Sequence, residues 1–371
     1  MHAIIIGQTN KNVRRGGIPS FLEELEPFLA ETKYGYTLLE INEKKYDTTN
    51  RKGYASILNN FFFRAYLMRK KILELKGRHK NIIFIIHYWR ELIFSLDLVL
   101  RHKFILHFHG PAYLEAELEG KSKLHVTIAK YFERFFYPKA KLAVCLSQHY
   151  KNLLVEKYDV KPELIHVVPY GFKISPTPKL LQKNATVIEF LCVRRLVKRV
   201  GIEILIEACA LLKKNKYQFR LKIVGTGPLL ELLILEVKRL NLEKNIFFLR
   251  TVDDDELAEL YQKSDLSIIP SFGLEGFGIS CVESLFYGTP VIATKIGGLI
   301  EILTPLNPKL LTTEATTIDL YIQLEKIINK EITLPTPTEC QDFAIANYNI
   351  ENTGSQLIEL YKKTQNNLFT Q

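Results

Sequence analysis

Short apolar runs alternate with longer amphipathic segments along almost the whole chain. Most of these runs end at a glycine or a polar residue, which is typical of strands buried on both faces of a sheet. The segments between them place apolar residues at helical spacing. We predict strands at 2–6, 36–41, 81–86, 102–108, 142–146, 165–168, 187–193, 220–224, 246–249, 266–269 and 290–293. This alternation predicts an α/β fold with parallel sheets.

A proline-containing segment interrupts the alternation near the middle of the chain. Residues 169–187 contain three prolines, many polar residues and no periodicity, which indicates a linker between domains. A chain of 371 residues is also long enough for two domains. We predict a first domain at 1–170, a linker at 171–186 and a second domain at 187–350. We also predict a loop at 333–340, near the end of the second domain, and a last amphipathic helix at 352–364.

The stretch at 270–294 carries two carboxylates around a predicted strand–turn–helix junction. Glu275 lies in the turn beside Gly276 and Gly278, where glycine allows the backbone to come close to a ligand. Glu283 follows about two turns into the helix. Both carboxylates could therefore face one ligand at a helix N-terminus, whose N–H groups suit a phosphate.

This stretch resembles the donor-site signature of retaining glycosyltransferases of the GT-B fold, in particular glycosyltransferase family 4. The signature is Glu-Gly-Phe-Gly, four residues and a second Glu, and every named position from Glu275 to Glu283 matches it. The resemblance implies two Rossmann-like domains that face each other across a cleft, with the C-terminal helix crossing back onto the first. It also implies that the second domain binds a nucleotide-diphosphate sugar. An ordinary strand–turn–helix with two surface carboxylates is the alternative interpretation.

The resemblance assigns roles to residues in this stretch and elsewhere. Glu275 would hydrogen-bond hydroxyl groups of the donor sugar, Glu283 would bind the ribose, and His109 would position the sugar. The other predicted donor-binding positions lie in four places. Gly16 and Gly17 follow the first strand, Gly225 and Gly227 follow the strand at 220–224, and Val252 would meet the nucleotide base. The start of the helix contributes Gly276, Phe277, Gly278 and Ile279. We expect Glu275→Ala to abolish transfer with little loss of stability, because a loop carboxylate has little packing to lose.

One loop of the second domain supplies cations at the end of a predicted strand, where guanidinium groups can bind a diphosphate. The family's form is Gly-Arg-Leu, three residues and Lys-Gly. Arg195 matches the arginine, but Val200 occupies the lysine position and Arg194 the glycine position. Either Lys198 or Arg199 must then supply the second phosphate cation, or donor binding is weakened.

No metal or other cofactor is predicted. His107 and His109 stand at alternate positions, so they should point to opposite faces and make poor partners for one ion. The one Asp-x-Asp spacing in the chain lies in Asp253-Asp254-Asp255, which opens a predicted helix and is more simply a set of N-terminal charges. The resemblance implies transfer without a metal, in which Arg195, neighbouring cations and helix N–H groups neutralise the leaving diphosphate. No side chain is an evident covalent nucleophile, so we expect same-face substitution in which the departing phosphate accepts the acceptor's proton.

Positive charge is concentrated in the first half of the chain. The net charge of +10 divides into +12 over residues 1–179 and −2 over the remainder. This asymmetry indicates an anionic partner for the first half, with nucleic acid and an anionic membrane surface as the two classes to weigh.

Two predicted helices of this half, at 57–76 and 121–137, combine basic and aromatic residues. The apolar stripe of the first is predicted to be core and consists of Phe61, Ala65, Met68, Ile72 and Leu75. In the second, one face could bind an anionic acceptor or lipid headgroups and carries Lys123, Lys130 and Arg134. Its other face is expected in the core and carries Leu124, Ile128, Phe132 and Phe135. A plain solvated face is the alternative to an interfacial helix.

The family resemblance, taken with these features, implies a retaining, metal-independent hexosyltransferase. It would move a sugar from a nucleotide-diphosphate sugar to a glycan or lipid-linked acceptor in cell-surface polysaccharide synthesis. Two alternatives stay open: another GT-B activity on nucleotide sugars, such as epimerisation, and non-catalytic binding of anions or membranes. Nucleic acid is not expected as a partner.

Cysteine usage and the N-terminus bear on location. The five cysteines form no CxxC pair and lie mostly in apolar runs, which predicts buried thiols in a reducing compartment. The N-terminus lacks the basic start and cleavage site of a signal peptide, and no apolar run has the length of a membrane span. We expect a cytoplasmic protein, with attachment to the inner face of the membrane left open.

Overall fold

The computed structural model describes residues 2–7, 17–31, 35–40, 54–79, 81–87, 89, 92–173 and 187–369. The chain divides into two compact units: unit 1 comprises Met1–Pro111, Lys130–Lys173 and Ile350–Gln371, and unit 2 comprises Ala112–Ala129 and Ile174–Asn349. The division differs from the predicted domains, because Ala112–Ala129 groups with unit 2. Most of the predicted linker, 174–186, lies outside the described residues.

Each unit is built on one parallel sheet. The strands are β1 (His2–Gly7), β2 (Tyr36–Glu40), β3 (Ile82–Ile86), β4 (Phe104–Phe108), β5 (Leu142–Cys145) and β6 (Ile165–Val167) in unit 1, and β7 (Ile188–Val193), β8 (Phe219–Val224), β9 (Ile246–Arg250), β10 (Leu266–Ile269) and β11 (Val291–Ala293) in unit 2. Their bounds follow the predicted apolar runs closely. The α/β prediction of two Rossmann-like units is therefore confirmed.

Helices connect the strands. They are α1 (Gly17–Glu31), α2 (Tyr54–Arg78), α3 (Leu96–Arg101), α4 (Ala112–Leu118), α5 (Lys123–Phe136), α6 (Gln148–Tyr158), α7 (Ile202–Lys214), α8 (Leu230–Arg239), α9 (Asp254–Lys263), α10 (Ile279–Phe286), α11 (Gly298–Leu306), α12 (Thr317–Ile328), α13 (Pro337–Tyr348) and α14 (Ile350–Phe369). The division between the units falls within α5. The last helix belongs to unit 1 and packs on α1, where Gly354 lies so close to Phe28 that a Cβ would come within 2.6 Å of its ring.

Strand order places the candidate residues of unit 2 at one edge of its sheet. The order is β11-β10-β7-β8-β9, and the pairings are parallel. Because β10, β7 and β8 are neighbours, the loops that follow them meet at the carboxyl edge, where open parallel sheets bind ligands. These loops contain Glu275, Arg194 and Gly225 respectively.

Unit 1 follows the same principle. Its strands run in the order β2-β1-β3-β4-β5-β6, again in parallel pairs. Phe84 of β3 pairs with Phe104 of β4, so the ends of these two strands bring His87 and His109 to the same edge of the sheet.

One predicted loop proves to be helical. The segment at 333–340 contains the start of α13, which begins at Pro337. The hydroxyl of Thr336 accepts from the Glu339 backbone N–H, and the Glu339 carboxylate accepts from the Thr336 backbone N–H at 2.7 Å. This reciprocal capping box satisfies two N–H groups at the helix start and explains why a helix begins at Pro337, since proline is tolerated at the first helical position.

The cysteines are buried as predicted. All five lie in the described part of the chain, and none forms a disulfide. Burial raises the pKa of the Cys192 thiol to about 12, which keeps that thiol protonated at neutral pH. Within the ranges that the structure describes, no helix has both the length and the apolar character needed to cross a bilayer.

Candidate functional site

The turn that carries Glu275 is held from behind by the start of α11. The backbone N–H of Gly298 donates to the Glu275 carbonyl at 3.0 Å. Gly297 has φ of 53°, and a Cβ there would lie 1.9 Å from the same carbonyl oxygen. Any side chain at Gly297 would therefore push the turn away, so this glycine is required by the close approach of two backbones.

The Glu275 carboxylate is buried and paired. The residue is 7% exposed, and its Oε2 accepts from the Ser271 hydroxyl at 2.9 Å and from the Arg194 guanidinium. Removing one partner of a buried ion pair leaves the other charge without compensation. The premise that this loop carboxylate has little packing to lose is therefore wrong, and we expect Glu275→Ala to lose stability.

Glu283, the second carboxylate of the signature, lies on α10 and is also buried, with 9% exposed. It accepts a hydrogen bond from the Tyr261 hydroxyl at 3.0 Å. Tyr261 belongs to α9, where its helical spacing from Leu257 identifies a core position but gives no sign of a polar partner. Sequence reasoning missed this tyrosine for that reason.

The start of α10 offers backbone donors to an anion. Its N-cap is Gly278, which has φ of 100° and makes no side-chain capping bond. The first N–H groups of a helix have no acceptor within the helix, and the helix dipole adds positive potential there. The predicted contact residues Gly276, Phe277 and Ile279 flank this cap, so the geometry suits a phosphate group.

The predicted cations differ in their surroundings. The Arg195 side chain is 67% exposed and lies 3.9 Å from the Glu119 carboxylate. Lys198 is exposed. The Arg199 guanidinium, in contrast, lies 3.3 Å from the Glu115 carboxylate and donates to the Leu274 carbonyl at 3.1 Å.

Arg199 thus fastens the loop before Glu275. Its own carbonyl accepts from the backbone N–H groups of Phe272 and Gly273, at 3.2 Å each. The bond to Leu274 holds a residue with φ of 41°, a left-handed conformation that leucine rarely adopts. These contacts give Arg199 a structural role beside the predicted phosphate role. Val200 is buried in the core of unit 2, so the lysine position of the family pattern presents no charge.

The glycines after β8 have a packing role in the structure. A Cβ at Gly225 would lie 1.9 Å from the Arg194 carbonyl oxygen, and one at Gly227 would lie 2.3 Å from that of Leu196. Their small size lets this loop rest directly on the cation loop. Val252 is half-buried against an apolar cluster that includes Tyr261.

In unit 1 the structure brings three histidines together, and the prediction that His107 and His109 point apart is wrong. Strand β4 ends at Phe108, so strand alternation no longer applies to His109. One ring nitrogen from each of these two residues and one from His87 lie within 4.8 Å of one another. His87 Nδ1 and His109 Nε2 are 3.0 Å apart, and one donates to the other.

Burial keeps this cluster neutral. It lowers the pKa of His109 to about 3 and lowers those of His87 and His107 well below the usual value, helped by the neighbouring imidazoles. Tyr361 of α14 is hydrogen-bonded to His107 Nε2.

Neutral imidazoles are the form that binds metals. However, the rings of His87 and His107 stack at 4.1 Å with planes 20° apart. One ion cannot lie in two such planes at bonding distance, so the arrangement favours a hydrogen-bonded stack.

Two predicted glycines lie before the first helix of unit 1. Gly17 begins α1, whereas Gly16 lies outside the described residues. Because glycine has no side chain, its predicted role depends on the backbone of that loop.

The two basic helices follow the predictions unequally. On α2, Ala65, Met68 and Ile72 are buried as expected, while the side chain of Phe61 lies outside the described part. On α5 most of the apolar face expected in the core is exposed instead: Leu124, Ile128 and Phe135 are exposed, whereas Phe132 is half-buried and stacks on Trp89. Tyr131, which is not part of that predicted face, is exposed as well.

The buried face of α5 is a different one. It contains Ala129, Glu133 and Phe136, and Glu133 accepts from the Tyr158 hydroxyl at 2.8 Å. A buried glutamate at this position shifts the inward face by about one residue from the pattern that hydrophobicity alone predicts. The helix therefore presents an apolar ridge beside its cations.

Comparison with known proteins fits this geometry. Residues 27–175 match the family described as Glycosyltransferase Family 4, and residues 176–347 match Glycosyl transferases group 1. An uncharacterized glycosyltransferase of Methanocaldococcus jannaschii is 27% identical over 327 residues, which cover 85% of this chain and 86% of the relative.

Solved structures agree on the fold. Sucrose-phosphate synthase from Thermosynechococcus elongatus is similar with a TM-score of 0.77 and 19% identity, covering 98% of both chains. HepE of Anabaena, solved in complex with UDP-glucose, has a TM-score of 0.70 and 19% identity, covering 98% of this chain and 100% of HepE. From its two family matches, which adjoin and together extend from residue 27 to residue 347, the chain belongs to the family-4-like glycosyltransferases of the GT-B fold.

Proposed function

We propose that this protein transfers a hexosyl group from a nucleotide-diphosphate sugar with retention of anomeric configuration and without a metal ion. The observation that carries the proposal is the pair of buried carboxylates on either side of an uncapped helix start: Glu275 before α10 and Glu283 within it. Carboxylates suit hydroxyl groups of sugar and ribose, and the helix start suits a phosphate. Along the chain, Glu275, the start of α10 and Glu283 follow one another in the same order as sugar, phosphate and ribose in a nucleotide sugar.

The neighbouring cations support transfer without a metal. Arg195 and Lys198 are exposed at the carboxyl edge of the same sheet, where positive charge can stabilise a leaving diphosphate. With that charge supplied by side chains and helix N–H groups, same-face substitution needs no covalent intermediate. The departing phosphate would accept the acceptor's proton.

A panel of nucleotide sugars tests this proposal. The purified protein is incubated with UDP-, GDP- and ADP-linked hexoses, and nucleotide release, thermal shift and the anomeric configuration of the product are measured. We expect one donor to be consumed, the product to keep the donor's anomeric configuration, and EDTA to leave the rate unchanged. An inverted product or a trapped glycosyl–enzyme adduct would contradict the mechanism, and release of an isomerised sugar would point to epimerisation.

We further propose that the acceptor is lipid-linked or a growing cell-surface glycan, met at the inner face of the membrane. The exposed ridge of α5 favours this: Leu124, Ile128 and Phe135 are each more than half exposed, beside Lys123 and Arg134. Apolar residues flanked by cations are typical of helices that lie on anionic bilayers. The buried cysteines support a reducing compartment, the cytoplasm.

Vesicle binding tests the membrane part separately. We expect the triple variant Leu124→Ser, Ile128→Ser and Phe135→Ser to lose binding to vesicles of phosphatidylglycerol and phosphatidylcholine. Neutralising Lys123, Lys130 and Arg134 should weaken binding to the anionic vesicles only. Serine at Leu232 and Leu235, which are equally exposed on α8 of unit 2, is the matched control and should change nothing. Unchanged binding by the α5 variant would remove the membrane proposal and leave the enzyme proposal standing.

A further inference from the structure

Arg194 is the cation that motif reasoning left without a role, because it stands where the family pattern has glycine. Its side chain is 10% exposed. Nη2 donates to the Ser271 hydroxyl at 3.0 Å and to the Glu275 carboxylate, and Nη1 donates to the Ser280 hydroxyl at 3.3 Å. Ser280 lies in the first turn of α10. The guanidinium therefore bridges the carboxylate of the signature and the helix start.

This position is electrostatically unfavourable for a cation without a further anion. The N-terminus of a helix carries positive potential, which disfavours a guanidinium beside it. Arg195, Lys198 and Arg199 add three more positive charges within the same loop. The Glu275 carboxylate offsets the charge of Arg194 only. The other two nearby carboxylates are paired elsewhere, Glu115 with Arg199 and Glu119 with Arg195.

The hydrogen bonds of Arg194 are also incomplete. Its Nε–H is buried and has no acceptor among the residues that the structure describes. A buried charged donor without an acceptor costs free energy, and an anion bound beside the guanidinium would offset part of that cost. Both bonds to Glu275 end on Oε2, so within the same described ranges Oε1 is left for a ligand hydroxyl.

We propose that Arg194 is the second diphosphate-binding cation of this enzyme. It takes over the function of the family's lysine, whose position is occupied by Val200 in this chain. The inference rests on the proposed function, since it presumes a nucleotide-diphosphate donor at this site. In the bound state Nη1, which lies beside the first turn of α10, donates to a phosphate oxygen, while Nη2 keeps Glu275 oriented toward the sugar. One side chain thus does the work of the family's lysine and positions the carboxylate as well.

Nucleotide binding without turnover tests this assignment. Dissociation constants are measured by calorimetry for matched pairs: UDP and uridine, GDP and guanosine, ADP and adenosine. We expect Arg194→Gln to weaken binding of the preferred diphosphate by about 10-fold to 100-fold, since a charge-assisted bond is lost. Binding of the matching nucleoside, and of the diphosphate by Arg220→Gln, should be unchanged. Arg220 is a partly exposed arginine on β8, paired with Glu189.

The paired ligands separate binding from a structural role. If Arg194 only supported the fold, the nucleoside and the diphosphate would lose affinity together, and that outcome would overturn the inference. Equal diphosphate affinity of Arg194→Gln and the unmodified enzyme would overturn it as well. If the unmodified enzyme bound none of the three diphosphates, the proposed function itself would fail.

A conservative variant guards against misfolding. Arg194→Lys keeps a charge beside Glu275 and so retains the ion pair even if the glutamine variant does not fold. An ammonium group cannot bridge Glu275 and phosphate in the planar manner of a guanidinium. We expect about a 5-fold loss of diphosphate affinity with nucleoside affinity unchanged, which corresponds to about 1 kcal/mol for one hydrogen bond. No loss would contradict the bridging geometry.

Discussion

The two units bury polar groups at corresponding edges of their sheets, but they stabilise them in opposite ways. In unit 1 the imidazoles of His87, His107 and His109 lose their charge, because burial lowers their pKa values far below neutral pH. In unit 2 the Glu275 carboxylate remains beside the Arg194 guanidinium as a buried ion pair. The first arrangement avoids the cost of a buried charge, and the second offsets that cost with an opposite one.

This difference determines how each cluster can fail. A neutral cluster is sensitive to acid, because protons prefer the unfolded chain in which the histidines have their ordinary pKa values. A paired cluster is sensitive to the loss of either partner, because the remaining charge is buried alone. The two units should therefore respond to different perturbations.

Removing the carboxylate of the ion pair should have the largest effect. We expect Glu275→Ala to reduce transfer by more than about 100-fold, because the sugar loses a hydrogen-bond acceptor at the reacting end. The free energy of unfolding should fall by about 3 kcal/mol, because Arg194 stays buried without its carboxylate. Steady-state assay and urea denaturation measure the two quantities.

Glu243→Ala is the matched control, because Glu243 is exposed in unit 2 away from the site. It should change neither quantity. Near-normal turnover of Glu275→Ala would show that the donor sugar is bound elsewhere. Lost turnover with unchanged stability would show instead that the Arg194 pair is not formed in solution.

Acid should have the next largest effect, and its sign follows from the histidines. The pKa of His109 is about 3 in the folded protein against about 6.5 in the unfolded chain, so its contribution to stability is full above pH 6.5 and falls as the pH drops toward 3. Between pH 7 and pH 5 this amounts to up to about 2 kcal/mol. His109→Gln should therefore lose less stability over this interval than the unmodified protein.

Equilibrium denaturation of the whole protein at pH 7 and at pH 5 checks the expectation. The same substitution at His125, an exposed residue of α5, should leave the pH difference as it is in the unmodified protein. If His109→Gln showed the full pH difference as well, the cluster would already be protonated or solvated in the folded state.

The fold was predictable because its signals are local. Apolar runs located the strands of both sheets, and the signature from Glu275 to Glu283 identified the candidate site. Even the start of α13 was visible in the pattern Thr336-x-x-Glu339, although the surrounding prolines favoured a loop. These features depend on a few adjacent residues.

The missed features depend on contacts between distant parts of the chain. Arg194 and Glu275 are 81 residues apart, and Tyr361 and His107 are 254 apart. No spacing in the sequence could show that a departure from the family pattern at Arg194 is paired with the signature carboxylate. The exposed ridge of α5 was missed for a related reason. Glu133 faces inward because it is hydrogen-bonded to Tyr158, 25 residues further along the chain, and the apolar residues on the other side of the helix are therefore exposed.

A pair of tyrosines offers the finest comparison of the two clusters. Tyr261 in unit 2 donates to the Glu283 carboxylate, and Tyr361 in unit 1 is bonded to the neutral ring of His107. Both rings are buried, so the change to Phe removes the same hydroxyl from similar packing. We expect Tyr261→Phe to cost about 2 kcal/mol of unfolding free energy and Tyr361→Phe about 1 kcal/mol, because bonds to charged groups are the stronger ones.

The two variants also differ in their expected effect on the enzyme. Tyr261→Phe should raise the KM for the donor several-fold with little change in kcat, because Glu283 loses a partner that orients it toward the ribose. Donor KM and unfolding free energy measured on both variants test this. Equal stability losses would mean that Glu283 is protonated or that its charge is already satisfied by other donors, and the contrast between a neutral and a charged cluster would then have to be drawn at Glu275 alone.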